Sequence, residues 1–187
     1  MASPVTAPSI TTWQLDPTHS SVEFAIRHLM ISTVKGRFSD LSATISGDES
    51  DIASQKVTAT IQVASINTHQ ADRDTHLRSA DFFDLEHHPT MTFVGRRAEG
   101  DLRGDFRLTG DLTIRGTTRE ITLNVTAEGR TKDPWGGERT AFSATGKISR
   151  SDFGLTWNQA LETGGVVVGD EVKISIEAQF VRQAPAA

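Results

Sequence analysis

The stretch DLRGDFRLTGDLTIRG, residues 101–116, alternates apolar and polar residues over its whole length. A period of two predicts a β-strand with one apolar face and one solvated face. The apolar face includes two glycines, where a packed core would have bulkier side chains, so the sequence predicts free space beside it. Its members are Leu102, Gly104, Phe106, Leu108, Gly110, Leu112 and Ile114.

The same alternation returns along the chain and predicts about eight one-sided strands. One-sided strands indicate antiparallel pairing, because parallel sheets are buried on both faces and have continuous apolar runs. Residues typical of turns separate the segments, which favours hairpin connections. Besides residues 101–116, the alternating segments lie at 21–27, 41–45, 57–63, 91–93, 121–127, 142–148 and 172–180.

Two stretches break the alternation. Residues 68–88 include Asp74 and Arg78 at the i,i+4 spacing of a helical ion pair, and they predict one or two short helices. Residues 150–170 predict a long loop whose two glycines let it fold over an opening. The ends, 1–10 and 183–187, are rich in small residues and proline and predict disordered tails around one domain, 11–182.

Eight antiparallel strands of this kind form either two facing sheets or one closed barrel. Small inward residues and the absence of tyrosine favour a barrel with an open apolar lumen. A filled β-sandwich acting as an interaction module is the alternative. The small inward residues are Ala43, Ala59, Gly104, Gly110, Ala127, Ala144, Gly146 and Ala178.

Composition excludes several classes of function. The net charge of −5 argues against nucleic acid or an anionic membrane surface as the main partner, because phosphate contacts need clustered Lys and Arg. The chain has no cysteine, hence no disulfide or thiolate site. It shows neither a signal peptide nor an apolar run of roughly 18 residues that would span a bilayer. We therefore expect a cytoplasmic protein without stable membrane insertion.

Four blocks of the chain resemble, in order and spacing, the YceI-like family of polyisoprenoid-binding proteins. They include a D-x-x-H-S motif at 16–20 and an R-D-x-H-L motif at 73–77. Two positions depart from the family: His69 stands where glycine is frequent, and His88 stands where tyrosine is common. The blocks are WQLDPTHSSVEFAIRHLMISTVKGRFSDLSATI (13–45), SINTHQADRDTHLRSADFFDLEHHPTMTFVG (65–95), LTGDLTIRGTTREITLNV (108–125) and GKISRSDFGL (146–155).

The resemblance implies an all-β fold, an eight-stranded antiparallel lipocalin-like barrel with a short helical insert at about 69–86. It also implies that the lumen holds a long chain, either a polyisoprenoid, an isoprenoid quinone or a fatty-acyl-type lipid. No other cofactor is expected. Related proteins often pair, so a homodimer is expected as well.

The inward phase of the strands predicts which apolar side chains contact such a ligand. No catalytic residue and no metal ligand is predicted. The expected lumen residues are Val22, Phe24, Ile26, Phe38, Ile61, Val63, Phe93, Phe106, Leu108, Leu112, Ile114, Leu123, Val125, Phe142, Ile148, Phe153, Leu155, Ile174 and Ile176.

Three polar side chains are candidates for contacts with a ligand head group. His28 follows the inward phase of its strand, and Arg73 and His76 carry the charge of the helical insert. Each also has a structural interpretation: a hydrogen bond at a strand end for His28, and a salt-bridged plug for the cluster of Arg73, Asp74 and His76. Residues 16–20 are expected to fix a turn.

An enzyme with a histidine and carboxylate metal site is the main alternative function. His69, Asp72, His76, His87 and His88 lie close in the sequence, but His69 and His76 lack the i,i+4 spacing of helical zinc motifs. No G-x-S-x-G motif, glycine-rich phosphate loop or cysteine nucleophile is present. The sequence therefore favours a non-catalytic carrier or sequestering protein for a long apolar molecule.

Overall fold

The computed structural model describes residues 10–162 and 164–184. Most of the predicted tails, at 1–10 and 183–187, therefore lie outside the described residues. The described ranges contain one α-helix, α1 (Ala71–Arg78), and eleven β segments: β1 (Ile10–Leu15), β2 (Ser21–His28), β3 (Ser32–Phe38), β4 (Leu41–Asp48), β5 (Lys56–Gln62), β6 (Ile66–Asn67), β7 (Thr90–Gly100), β8 (Asp105–Ile114), β9 (Thr117–Lys132), β10 (Glu138–Ser149) and β11 (Val168–Arg182).

The eleven segments form an up-and-down barrel of eight strands, because three of the strands are interrupted. β1 and β2 together run antiparallel to β4 and β3, with Trp13 opposite Ile45 and Val22 opposite Phe38. β5 and β6 form the third strand, which pairs with β4 and β3. β7 to β11 follow in chain order, and β11 pairs with both β1 and β2 to close the ring. The predicted eight-stranded antiparallel barrel is confirmed, and a sandwich is excluded.

The interruptions lie side by side, at residues 16–20, 39–40 and 63–65. The first and last are short 3₁₀ turns, and the backbone N–H of Gln62 still donates to the carbonyl of Asp40 at 2.9 Å across the break. The pairing of the three strands thus continues on both sides of the breaks.

Asp16 fixes the first interruption. Its carboxylate accepts hydrogen bonds from the hydroxyl of Thr18 at 2.6 Å, from Arg139 at 2.7 Å and from His19 at 3.0 Å. These bonds, that of Thr18 first, hold the pKa of Asp16 well below its ordinary value. The hydroxyl of Ser20 donates to the carbonyl of Asp16 at 2.7 Å. Residues 16–20 fix a turn, as the sequence predicted.

The two ends of the barrel differ. The helix end carries residues 29–31, 68–89, 115–116, 150–162 and 164–167, whereas the turn end carries the shorter connections 49–55, 101–104 and 133–137. Among the described residues, no helix has the length and hydropathy to cross a bilayer. The predicted helical insert is confirmed, and it lies over one end of the barrel.

Helix α1 is held by bonds other than the predicted ion pair. Asp74 is buried and accepts from the backbone N–H and the hydroxyl of Thr68, at 2.9 and 2.6 Å. Arg78 instead donates to the carbonyls of Ala64 and Ile66, at 3.1 and 2.8 Å. The expectation of an Asp74–Arg78 pair is wrong, because both side chains find partners in the segment that leads into the helix.

The stretch at 101–116 is shorter as a strand than its alternation predicted. β8 begins at Asp105, and residues 102–104 form a turn. A Cβ atom on Gly104 would lie 3.2 Å from the carboxylate of Asp101, so this glycine faces the turn and not the lumen. At Gly110, a Cβ atom would lie 2.5 Å from Cζ of Phe93. The missing side chain of Gly110 therefore makes room for a neighbouring ring and leaves no free space of its own.

Candidate ligand-binding cavity

The barrel encloses one large cavity, with a volume of about 820 Å³. Sites for small molecules have volumes of roughly 300–1,000 Å³, so this cavity is at the large end of that range. All eight strands contribute to its wall, and most polar residues of the lining, such as His28, Arg73, His76, Glu49 and Arg103, lie at the two ends. The middle of the wall is formed by aliphatic and aromatic side chains.

Every predicted lumen residue except Val63 lies on the wall of this cavity. Val63 is 1 % exposed and packs in the core with Ile66 and its neighbours. β5 ends at Gln62, and the 3₁₀ turn at 63–65 changes the direction of the next side chains. The prediction for Val63 is therefore wrong, because it extended the inward phase of β5 beyond the end of the strand. For the other residues the structure establishes the position on the wall, and contact with a ligand stays a prediction.

Aromatic rings line two sides of the cavity. Phe38 contacts Phe24 and Phe83, with ring centroids 5.7 and 5.9 Å apart, and so joins the strands to the helical insert. On the other side Phe142 meets Phe106 and Phe180 edge-on, at 6.0 and 6.1 Å. Such tilted and edge-on contacts favour fixed ring positions. The wall therefore presents a largely preformed apolar surface.

The three predicted polar candidates all lie at the helix end of the cavity. Arg73 donates from Nε to the hydroxyl of Thr68 at 2.7 Å and from Nη2 to its carbonyl at 2.8 Å. Nε2 of His76 lies 2.8 Å from Asp81, and its ring contacts the ring of Trp157 edge-on at 4.7 Å. Arg73 and His76 thus hold the insert together through bonds within it, while they also face the cavity. Arg73 bonds Thr68 and not a carboxylate, so this differs from the salt-bridged plug that the sequence suggested.

Arg150 is a buried cation of the cavity that sequence reasoning missed. Arg150 is only 7 % exposed. Its guanidinium donates to the carbonyls of Leu155, Trp157 and Gly169 at 2.6, 2.8 and 2.7 Å. Burial lowers the pKa of Arg150, against the opposing charge of Asp170. Its position in the block GKISRSDFGL, one of the four that carry the family resemblance, was the one feature of the sequence that could have singled it out. Arg150 thus joins residues 155–157 to the start of β11 at the helix end.

The turn end has its own polar group, which the sequence also did not reveal. Glu49 accepts from the indole N–H of Trp13 at 3.2 Å and from Arg130 at 2.7 Å, and the Arg130 guanidinium lies 4.8 Å from the Trp13 ring. Burial acts to raise the pKa of Glu49, but the hydrogen bond and charge of Arg130, together with the charge of Arg182 and the bond from Trp13, outweigh it and lower the pKa. Arg103 also lines this end.

The histidines proposed for a metal site are dispersed. His69 lies before α1, His76 pairs with Asp81, and Nδ1 of His87 lies 3.0 Å from Asp84. His88 lies against Gly116, in the turn between β8 and β9. Within residues 10–162 and 164–184 no group of three or more His, Asp or Glu side chains is arranged to hold a metal ion.

Comparison with known proteins supports this architecture. The model of the YceI-like domain matches residues 13–180. A UPF0312 protein of Staphylococcus epidermidis is 44 % identical over 172 residues, which cover 91 % of this chain and 98 % of that protein. The crystal structure of a Campylobacter jejuni YceI protein matches with a TM-score of 0.72 and 36 % identity, over 84 % of this chain and 90 % of that one.

A polyisoprenoid binding domain from Saccharophagus degradans, implicated in plant cell wall breakdown, has the same fold. It matches with a TM-score of 0.68 at 15 % identity, over 91 % of this chain and 98 % of that one. Since the family model covers nearly the whole barrel and a relative above 40 % identity spans it, this chain belongs to the YceI-like family.

Proposed function

We propose that this protein binds a long apolar chain inside the barrel and carries or sequesters it without chemical change. The ligand class is a polyisoprenoid, an isoprenoid quinone or a fatty-acyl-type lipid. The observation that carries the proposal is the cavity of about 820 Å³, with a largely apolar wall formed by all eight strands and polar groups at its ends. A flexible hydrocarbon chain fits such a shape without matching polar groups along its length.

The energetics agree with this ligand class. A chain that hides on the order of 600 Å² of apolar surface gains about 15 kcal/mol at 25 cal/mol per Å². Association and ordering cost roughly 4–15 kcal/mol. The balance favours binding when the chain fills the cavity, and it weakens for shorter chains. Selectivity then depends on the length and width of the ligand.

The polar side chains at the cavity support binding over catalysis. Arg73, His76, Arg150 and Glu49 each make hydrogen bonds to other groups of the protein that hold loops or strand ends in place. These bonds support a structural role for the four side chains, which does not depend on a reaction. The Saccharophagus degradans domain, which shares the fold, is described as polyisoprenoid binding, and this supports the ligand class. A cytoplasmic location and a homodimer stay predictions from the sequence.

Organic extraction of the freshly purified protein, followed by mass spectrometry, tests the proposal. We expect a long-chain lipid in a fixed ratio to the protein. Ala144→Phe places a phenyl ring on the buried inner wall in the middle of the cavity and should abolish copurification. Thr145→Phe places the same ring on the exposed outer face of the same strand and should leave it unchanged.

An extract without lipid from the wild-type protein, or equal lipid from both variants, would contradict the proposal. Circular dichroism of both variants checks that the barrel is intact. Incubation of the loaded protein, followed by a second extraction, tests the absence of chemistry, because an enzyme would alter the bound molecule with time.

A further inference from the structure

The turn between β2 and β3, residues 29–31, exposes three consecutive apolar side chains at the helix end. Leu29, Met30 and Ile31 are 36, 55 and 79 % exposed. Leu29 and Met30 both have left-handed backbones, with φ angles of 51° and 61°. We call this segment the apolar tip.

This conformation is unfavourable for the residues that adopt it. The N–H of Ile31 donates to the carbonyl of His28 at 3.2 Å, so Leu29 and Met30 are the central residues of this turn. Turns with positive φ at both central positions are normally made by Asn and Gly, since a Cβ atom makes left-handed backbone costly. Here the turn is held by outside contacts: Arg27 donates to the carbonyl of Met30 at 2.8 Å, and the N–H of Leu29 donates to the carbonyl of Val167 at 2.8 Å. Exposed Leu and Met side chains would not stabilise a turn that only connects two strands. The side chains themselves therefore indicate a function.

The apolar tip adjoins a basic surface on the outside of the barrel. The strand register places Lys35, Ala25, Lys173 and Lys147 in one row across β3, β2, β11 and β10. Arg37 lies on the same face, one row further from the tip, and Arg27 one row nearer to it. We call the five exposed cations, Arg27, Lys35, Arg37, Lys147 and Lys173, the basic wall.

Few carboxylates offset the basic wall. Glu171 pairs with Lys147 at 3.3 Å, and Asp170 accepts from the N–H of Ser151 at 3.1 Å. Glu23 lies opposite Arg37 in the register, and Glu177 lies on the same face of β11, two rows beyond Lys173 and further from the tip. Within the described part of the chain, Lys35, Arg37 and Lys173 have no carboxylate within 4 Å. This face is therefore cationic, although the chain as a whole carries a charge of −5.

We propose that the apolar tip and the basic wall dock on the surface of an anionic phospholipid bilayer. The three apolar side chains enter the interfacial region, and the cations contact lipid phosphates, as in other peripheral membrane proteins. Charge complementarity favours this partner, since a surface that covers this face has to be both anionic and able to receive apolar side chains. The net charge alone predicted no such surface, because the cations come from four separate strands.

The position of the tip relates docking to the cavity. His28 directly precedes the tip, Val167 accepts its hydrogen bond, and both line the helix end of the cavity. Docking would place this end of the cavity at the membrane, where a long apolar chain is taken up or released. This relation rests on the proposed function, whereas docking itself does not require a ligand.

Flotation of the purified protein with lipid vesicles tests the inference. We expect binding to vesicles of equal parts phosphatidylglycerol and phosphatidylcholine, weak binding to phosphatidylcholine alone, and release at high salt. Removing one cation near such a surface weakens partitioning by roughly fivefold, so Lys35→Gln with Lys173→Gln should weaken it by about 25-fold. The double variant Leu29→Asn, Met30→Gly replaces the tip by a favourable hairpin turn and should also reduce binding by at least about tenfold.

Matched controls come from the turn end. Lys56→Gln with Lys132→Gln removes two exposed cations, and Trp135→Ser removes an exposed apolar side chain at 133–137. Neither should change vesicle binding. Absence of binding to phosphatidylglycerol vesicles, or equal losses in these controls, would overturn the inference. The wild type could also bind no vesicles but form a dimer that the tip variant disrupts. The tip would then contact a second copy of the chain, and the inference would be overturned as well.

Binding of a pyrene-labelled farnesol without vesicles separates the two proposals. The tip and basic-wall variants should bind this probe as the wild type does. A wild-type protein that binds vesicles but yields no lipid on extraction would leave docking in place and refute the proposed function. The reverse result, copurified lipid without vesicle binding, would refute docking alone.

Discussion

Replacing Phe106 by aspartate should weaken the binding of a neutral apolar chain about 1,000-fold at pH 7. Phe106 is half-buried on β8, lines the cavity, and meets the ring of Phe142 edge-on at 6.0 Å. In the empty barrel an aspartate at this position can remain hydrated. A ligand that fills the cavity has to cover the carboxylate with hydrocarbon, and this costs free energy.

The size of the effect follows from the least costly way to cover that carboxylate, which is to protonate it. An aspartate in water has a pKa of about 3.9, and each pH unit above the pKa adds about 1.36 kcal/mol to the cost of protonation. At pH 7 the penalty is about 4 kcal/mol, which corresponds to roughly three decades in Kd. The lost contact with the phenyl ring adds to this figure.

A fluorescence titration with pyrene-labelled farnesol at several pH values measures the penalty. For Phe106→Asp, Kd should fall about tenfold for each pH unit between pH 7 and pH 5. Phe106→Asn removes the same ring without a charge, so its Kd should not follow pH. Asn124→Asp adds a carboxylate to the exposed face of β9, opposite Arg107 in the register, and should bind as the wild type does.

The reasoning would be refuted by a Kd for Phe106→Asp that equals that of the wild type, or by equal weakening in Asn124→Asp. Either result would mean that the ligand does not occupy the lumen beside β8. Weakening of Phe106→Asp without a pH dependence would refute the proposed cause, because an uncovered carboxylate needs no proton.

Three further predictions concern stability and are measured by urea unfolding. His69 has a left-handed backbone, with φ of 61°, so His69→Gly should raise the free energy of unfolding by about 1 kcal/mol, and no gain would contradict the strain. Asp74→Ala removes two hydrogen bonds from Thr68 and should lower the free energy of unfolding by about 2–4 kcal/mol, with a smaller loss in Asp74→Asn. The pKa of Asp16 is lower in the folded protein, so its stabilising effect is present above the ordinary pKa of about 3.9 and is lost as the pH falls below it. Asp16→Asn should therefore be less stable than the wild type at pH 7, and the difference should shrink towards pH 2; a constant difference would exclude the carboxylate as its source.

The sequence predicted the parts of the fold that depend on neighbours along the chain. A period of two identifies the inner face of each strand, because successive side chains point to opposite sides of a sheet. The same reasoning placed Phe106 and Leu123 on the wall of the cavity. It failed at Val63, which follows the end of β5, and at Gly104, which precedes the start of β8, because both residues lie in turns. Alternation in the sequence does not show where a strand stops.

The polar part of the cavity was only partly predictable. His28, Arg73 and His76 were found because their strand phase or motif stands out, and all three face the cavity. Arg150 and Glu49 were missed, since their roles depend on partners far away in the sequence: Arg150 binds the carbonyl of Gly169, and Glu49 binds Arg130. No local pattern marks such pairs.

By itself, therefore, the sequence determined an all-β chain, the inward and outward faces of its strands, and the short helix between β6 and β7. Only the tertiary structure decided that β11 pairs with β1 and β2 to close the barrel, and that three strands break in one row. It also brought Lys35, Lys173 and Lys147 into one cationic row. The physical reason is that side-chain direction is a local property of the backbone, whereas register and closure depend on hydrogen bonds between residues far apart in the chain.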